Sequence, residues 1–154
     1  MDEKTFLELD FQLAFYHLYQ LGIAFILSLP IAYNREHRTD GAGLRTFPLV
    51  AISACAFMLV GRDVYQEGEA EARVMYGIVT GIGFIGGGAI LKNSKRVAGT
   101  ATAAGIWLVG ALGVSVAYTR YEISIVLSLL GFVIFQFAGP MKKARPREDS
   151  AEGG

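Results

Sequence analysis

Residues 74–91 read VMYGIVTGIGFIGGGAIL, a stretch of eighteen residues that contains no Asp, Glu, Lys or Arg. Six of these residues are glycine, which would make the stretch a poor helix in water. In lipid the glycines are useful, because they let a neighbouring helix backbone approach closely. A bilayer core is about 30 Å thick and a helix rises about 1.5 Å per residue, so a helix of this length nearly crosses it. The stretch therefore predicts a transmembrane helix.

The same pattern recurs on both sides of this stretch. Hydrophobic residues make up 53% of the 154-residue chain and charged residues only 18%, below the roughly 25% of soluble domains. Because the charges are confined to the connections, no amphipathic helices remain to cover a soluble core. The sequence thus predicts an all-α, polytopic membrane helix bundle over residues 1–139, with about five transmembrane helices. The other four predicted spans are 11–33, 47–61, 99–118 and 123–139.

The shortest span and the two ends of the chain need separate treatment. Segment 47–61 is about 22 Å long as a helix and needs an extra turn from its flanks, with Arg45 or Arg62 extending to the headgroups. The N-terminus lacks the basic start of a cleavable signal peptide, so segment 11–33 is expected to remain in the mature chain. Residues 140–154 are expected to form a charged, disordered cytoplasmic tail.

Basic residues predict the orientation of the bundle. If the N-terminus lies outside, segments 34–46, 92–98 and 140–154 face the cytoplasm and hold ten of the fourteen Lys and Arg residues. Connections on the cytoplasmic side of a membrane are enriched in Lys and Arg. The chain is therefore predicted to have its N-terminus outside and its C-terminus inside.

The sequence lacks the arrangements of residues that catalysis or metal binding requires. No carboxylate, Lys or Arg lies within a predicted span, whereas ion-coupled pumps place such groups there. His17 and His37 lack partners at ligand spacing, and the single cysteine, Cys55, is expected to be a small buried hydrophobic residue. No serine has the surroundings of a nucleophile. The sequence predicts no enzyme, no catalytic residue, no cofactor and no metal site.

Charge elsewhere in the chain gives little indication of a ligand. Fourteen Lys and Arg balance fourteen Asp and Glu, so no nucleic-acid partner is predicted. The connection 62–73 is expected to be a solvated charged loop, with weak attraction of divalent cations as the alternative. Its carboxylates are Asp63, Glu67, Glu69 and Glu71.

Residues 81–86 read GIGFIG, which matches the dinucleotide-binding fingerprint G-x-G-x-x-G. That motif requires a preceding strand, a following amphipathic helix and an acidic residue about 20 positions later. Here the match lies inside an apolar span, and Lys95 and Arg96 follow it. Nucleotide binding is therefore rejected.

Two roles remain open for the glycines of this span. The pairs Gly77/Gly81 and Gly83/Gly87 are four residues apart and would suit a seam against another helix. Leucine at Gly81 or Gly83 is therefore expected to weaken packing. The run of glycines at 86–88 would alternatively form a broken point surrounded by protein or water.

The next span opens with two hydroxyl side chains. Thr100 and Thr102 are expected either to cap the start of the helix or to bond a neighbouring helix. Trp107, about a third of the way along, is expected to be a packing residue. With the glycine-rich span before it, this span would supply the small surfaces of a tight bundle.

Three segments in order carry a resemblance to a known family. They read AGLRTFPLVA at 42–51, GIGFIGGGAIL at 81–91 and VAGTATAAGIW at 97–107. Together they resemble the MgtC/SapB family of bacterial inner-membrane proteins, over roughly residues 20–138. The chain is similar to the short SapB-like form, which lacks the C-terminal ACT-like domain of the MgtC-type members.

The resemblance implies a multi-pass protein of the bacterial inner (plasma) membrane, linked to magnesium limitation, acid stress and virulence. Better-known members act by regulatory contact with other membrane proteins. The implied partners are therefore the lipid bilayer and other membrane proteins, or a second copy bound through the glycine-rich helices. Gly43, Arg45, Thr46 and Gly99 lie in the matching segments.

One departure from the family pattern concerns its usual Glu-Arg pair before the AGLRT segment. The corresponding pair here is Asn34-Arg35, with Glu36 one place later. If the family glutamate is functional, its role in this chain is either lost or shifted to Glu36.

Two functions remain compatible with the sequence. The favoured one is a regulatory protein whose third and fourth spans dock on another membrane helix, because intramembrane charge and inverted repeats are missing. The alternative is a small transporter or channel with a broken glycine helix lining the pathway. Arg45 would serve as a topology anchor, bond the end of a neighbouring helix, or contact a partner or an anionic lipid.

Overall fold

The computed structural model describes residues 10–37, 42–65, 68–93 and 96–143. These residues form five helices and one short antiparallel hairpin, which confirms the predicted all-α bundle. The elements are α1 (Phe11–Glu36), α2 (Thr46–Val64), α3 (Gly68–Gly88), β1 (Leu91–Asn93), β2 (Arg96–Ala98), α4 (Thr100–Ala117) and α5 (Tyr121–Lys143). Among the described helices, α1, α2 and α4 are each long and apolar enough to cross a membrane.

Helix α1 continues past the end of its predicted span. It ends at Glu36, so Asn34 and Arg35 belong to its last turn and not to a connection. The prediction that segment 34–46 is a connection is therefore wrong for residues 34–36, which are helical. The helix can hold the cation of Arg35 because other helices, and not lipid, surround it.

The other helices also differ from their predicted limits. Helix α2 has 19 residues, which supplies the extra turn that segment 47–61 needed. Helix α3 ends at Gly88, where Ala89 N–H and Ile90 N–H bond to carbonyls three residues back and tighten the last turn. Helix α5 continues to Lys143, so residues 140–143 of the predicted disordered tail are helical. Residues 144–154 lie outside the described residues.

Helix α4 is the centre of the bundle. It packs against all four other helices, while α3 packs on α2 and α4 and α5 packs on α1 and α4. Val109, Leu112 and Val116 of α4 have no exposed surface. A Cβ built on Gly113 would lie 2.1 Å from the carbonyl oxygen of Ala51, so the backbones of α2 and α4 are in direct contact. Cys55 is fully buried beside this contact, as predicted.

The helices alternate in direction, so the bundle has two distinct ends. We call one the motif end, which holds the C-terminal ends of α1 and α5, the N-terminal ends of α2 and α4, and the β1–β2 hairpin. All three family-like segments have residues at the motif end. The opposite end joins the start of α1 to the end of α2, and the start of α3 to the end of α4.

The β1–β2 hairpin was not predicted from the sequence. It pairs Leu91 with Ala98, and Gly99 follows it as the N-cap residue of α4. Gly99 has φ +85°, and a Cβ there would lie 1.9 Å from the carbonyl oxygen of Ala89. Only glycine fits this position, because the left-handed backbone and the close approach both exclude a side chain. The conformation thus sets the start of α4 at the motif end.

Candidate functional site

Arg35 is the centre of a buried polar cluster at the motif end. Its side chain is in the last turn of α1, and the residue is only 8% exposed. Its Nη2 donates a hydrogen bond to Thr102 Oγ1 of α4 at 2.6 Å. The guanidinium carbon lies 5.0 Å from the centre of the Phe135 ring of α5, within cation–π range. Arg35 therefore connects three helices at once.

Asn34 adds a second connection next to Arg35. The residue is 5% exposed, and its Nδ2 donates to Gln136 Oε1 of α5 at 2.6 Å. Its Oδ1 is buried and accepts no hydrogen bond from the described residues. The position that corresponds to the family glutamate is thus an amide that faces another amide.

Glu36 points towards a different helix from Asn34. Its Oε2 accepts a hydrogen bond from the backbone N–H of Leu44 at 2.9 Å. A Cβ on Gly43 would lie 2.0 Å from this oxygen and 2.9 Å from Glu36 Cα, so the AGLRT segment lies directly on the end of α1. Glu36 is exposed and positions the start of α2, and it does not occupy the buried place of Asn34.

Arg45 is exposed at the N-cap position of α2. Among the described residues, no ion pair or hydrogen bond involves its guanidinium. The ion pairs between described residues are His17–Asp63 and Arg73–Glu69. Thr46, the next residue, lines a groove between α2 and α3. A bond from Arg45 to a neighbouring helix end is therefore not formed within this part of the chain.

The hydroxyl groups of α4 take one of their two predicted roles. Thr102 bonds Arg35 of α1, which is the interhelical role. The N-cap residue of α4 is Gly99, which has no side chain that could cap the helix. Thr100 is exposed in the first turn.

Contacts between α3 and α4 use glycines three residues apart. A Cβ on Gly83 would lie 3.6 Å from Trp107 Nε1, and one on Gly86 would lie 3.3 Å from the Ala103 carbonyl oxygen. Trp107 is 49% exposed, and its indole lies against these two glycines. The packing role predicted for Trp107 is consistent with these contacts.

Among the residues that the structure describes, no helix packs on the predicted seam at Gly77 and Gly81. A Cβ on either residue meets nothing within 4 Å, and the same holds for Gly87 and Gly88. Helix α3 instead buries a stripe that consists of Ile78, Ile82 and Gly86. The branched side chains carry the contact with the bundle, so the glycines beside them remain open.

The broken helix that the glycine run could have formed is also absent from α3. The helix is continuous through residues 86–88 and ends there. The nucleotide-like segment 81–86 lies entirely within this helix, without the strand and turn that the fingerprint requires. The segment therefore does not form the strand-to-helix turn of the fingerprint.

An apolar groove lies between α2 and α3, beside Gly77 and Gly81. It has a volume of about 660 Å³. Its α2 wall runs from Thr46 to Phe57, and its α3 wall includes Gly77, Gly81 and Ile85. The two helices close it towards the opposite end, where a Cβ on Gly61 would lie 2.9 Å from Val74 Cγ1.

A second polar cluster, at the opposite end, was not predicted from the sequence. Arg62 donates to the carbonyl oxygen of Ala117, and its guanidinium lies 5.0 Å from the centre of the Tyr118 ring. Tyr118 in turn donates its hydroxyl to Glu71 Oε2 at 3.0 Å. Burial, together with this hydrogen bond, raises the pKa of Tyr118. The only sequence signal for this cluster was the position of Arg62 at the end of a predicted span, and that position indicated only a headgroup anchor.

The prediction of a solvated loop over residues 62–73 is wrong for most of that segment, since α2 continues to Val64 and α3 begins at Gly68. The described carboxylates there have partners within the protein. Asp63 lies 3.3 Å from His17 Nε2, and Glu69 lies 2.8 Å from Arg73. In the part of the chain that the structure describes, no three His, Cys, Asp or Glu side chains are grouped as a metal site would require. Glu67 lies outside the described residues.

Comparison with known proteins identifies the family of the chain. The sequence model of the MgtC family matches residues 21–144, which include the motif end, the C-terminal part of α1 and the whole of α2 to α5. The chain belongs to the MgtC family. No solved structure matches it.

Relatives of this MgtC-family chain have diverse names. YhiD of Escherichia coli strain K12, named as a candidate magnesium transporter, is 32% identical over 76% of the chain and 58% of YhiD. SrpB of Synechococcus elongatus is 31% identical over 74% of the chain and 73% of SrpB. Protein MgtC of Brucella abortus is 42% identical over 61% of the chain and 39% of that protein. The chain thus spans between two fifths and three quarters of these relatives.

Proposed function

We propose that this MgtC-family protein acts in the bacterial inner membrane by helix-to-helix contact with another membrane protein or with a second copy. The proposed contact is the exposed face of α3, defined by Tyr76, Thr80, Phe84 and Gly87. These positions are three or four residues apart, so they line one side of the helix. By resemblance, the proposed regulation concerns magnesium limitation, acid stress and virulence, and no catalytic step is involved.

The observation that carries this proposal is the open surface of α3. Phe84 is 85% exposed and Tyr76 is 74% exposed, although both lie in a helix whose other side is packed. Gly87 and Gly88 meet nothing where a Cβ would be. A glycine destabilises a helix by about 1 kcal/mol relative to alanine. Contact with lipid tails does not offset this cost, whereas close packing of another helix on the glycine does.

Transport is the second candidate, because YhiD is named for it. The form of transporter considered from the sequence required a broken glycine helix, and α3 is continuous through Gly88. The unbroken helix therefore supports contact in preference to a pathway along α3.

Site-specific photo-crosslinking tests the proposed contact. A photoreactive phenylalanine analogue replaces Phe84 in one variant and Phe137 in a control, since Phe137 is also exposed, at 64%, but lies on α5. The proposal predicts a discrete protein adduct in native membranes from position 84 and lipid adducts from position 137. Lipid adducts alone from position 84 would contradict it.

A further inference from the structure

The α2–α3 groove has the depth of one membrane leaflet. The eleven residue steps of α2 from Thr46 to Phe57 rise about 16 Å, and half of a 30 Å hydrocarbon core is about 15 Å. The groove begins at the first residue of α2, at the motif end of the bundle. It closes at Gly61 and Val74, before the helices reach the opposite end.

A cation directly precedes the first residue that lines the groove. Arg45 directly precedes Thr46, is exposed, and makes no ion pair or hydrogen bond within the described residues. It is also at the N-terminus of α2, where the helix dipole is positive. The nearby carboxylate of Glu36 is already bonded to Leu44 N–H. Arginine has a planar set of donors that matches a phosphate group.

We propose that this groove binds an anionic phospholipid, with one acyl chain between α2 and α3 and the phosphate at Arg45. The walls are aliphatic or glycine along most of their length, with the hydroxyls of Thr46 and Ser53 as the polar exceptions. The open glycines Gly77 and Gly81 leave space for the acyl chain against α3. In the predicted orientation this lipid belongs to the cytoplasmic leaflet, where anionic headgroups attract basic residues.

The shape of the groove favours a lipid over a helix as its occupant. The groove is closed at one end, where Gly61 lies against Val74, so a membrane-spanning helix would leave it halfway. The exposed face of α3, with Thr80 and Phe84, lies on a different side of the helix, so the lipid site is independent of the proposed protein contact.

Lipid titration of the purified full chain tests the site. Phosphatidylglycerol and phosphatidylcholine with identical acyl chains are added to the delipidated protein in detergent, and bound lipid is counted by native mass spectrometry. One phosphatidylglycerol is expected per chain, with about fivefold higher affinity than phosphatidylcholine. Arg45→Gln should remove this preference, because it weakens phosphatidylglycerol binding more than phosphatidylcholine binding.

Matched glycine variants test the acyl-chain part of the site. Gly81→Leu fills the groove without a clash in the protein and should weaken both lipids about tenfold, equivalent to two methylene groups left unburied. Gly22→Leu introduces the same side chain at an equally open glycine on α1, outside the groove, and should change neither. Equal affinities of the wild type for the two lipids, or unchanged binding in Gly81→Leu, would overturn the proposal. So would a protein complex that Gly81→Leu dissociates while lipid binding is unchanged, since a helix would then occupy the groove.

Discussion

The side chain of Arg35 in the last turn of α1 donates to the hydroxyl of Thr102 in the first turn of α4, at 2.6 Å. This bond joins two segments that are 67 residues apart in the chain. It fixes the motif end, because Arg35 also lies over Phe135 of α5. A buried cation that loses a partner is costly, since its desolvation is no longer offset.

Replacing Thr102 should therefore destabilise the bundle. Thr102→Val keeps the shape of the side chain but removes the acceptor, and we expect a loss of about 1 to 3 kcal/mol in the free energy of unfolding. Thr102→Ser retains the hydroxyl and should lose less. Denaturant unfolding in detergent measures both variants, and equal stability of wild type and Thr102→Val would contradict the role assigned to this bond.

The glycines of α3 should separate into two classes on substitution. Gly86→Leu overpacks the contact with Ala103 and should cost about 1 to 3 kcal/mol or more. Gly81→Leu should cost nothing, because its Cβ meets open space and leucine favours a helix more than glycine does. Thermal unfolding in detergent provides the measurement. A large loss in Gly81→Leu would support the seam predicted from the sequence and contradict the structure.

High pH should loosen the opposite end of the bundle. Burial and the bond to Glu71 raise the folded pKa of Tyr118 above the unfolded value of about 10. The stabilisation is therefore complete below about pH 10 and is lost as the pH rises through the folded pKa. Unfolding midpoints between about pH 8 and 11 should fall less steeply in Tyr118→Phe than in the wild type. Identical slopes would show that this tyrosine does not contribute.

The five helices could be predicted from the sequence because uncharged segments and connections alternate along the chain. The side of α3 that packs on the bundle could not be predicted. Isoleucines and glycines occur on all sides of that helix, and no polar face distinguishes the side that faces lipid. Ile78 and Ile82 form the contact, while Gly77 and Gly81 remain open. A periodicity argument needs a contrast between two faces, and this helix offers none.

The candidate site was predictable in part for a similar reason. The family resemblance pointed to Asn34, Arg35 and Thr102, but sequence does not reveal which polar groups meet across 67 or 102 residues. Arg35 was assigned to a connection because the uncharged segment ends at Tyr33, whereas the helix continues to Glu36. Arg62 was predicted only as an anchor, and its contacts with Ala117 and Tyr118 were not predicted.

The orientation of the bundle is a separate prediction. Five helices in alternating directions place the start of α1 and the end of α5 at opposite ends of the bundle, and ten of the fourteen basic residues favour a cytoplasmic motif end. A reporter fused after Gly154 should be cytoplasmic, and a tag before Met1 should be accessible from outside. An external C-terminus would contradict the five-span arrangement.

Isolation of the protein from native membranes in polymer-bounded discs tests the central claim that it acts by helix contact through α3. Mass spectrometry of the intact particles should find a second membrane protein, or a second copy, at a fixed ratio. Gly87→Leu should release that partner, whereas Gly22→Leu, an equally open glycine on α1, should retain it. A single chain with only lipid, or a ring of copies that conducts ions, would contradict the account.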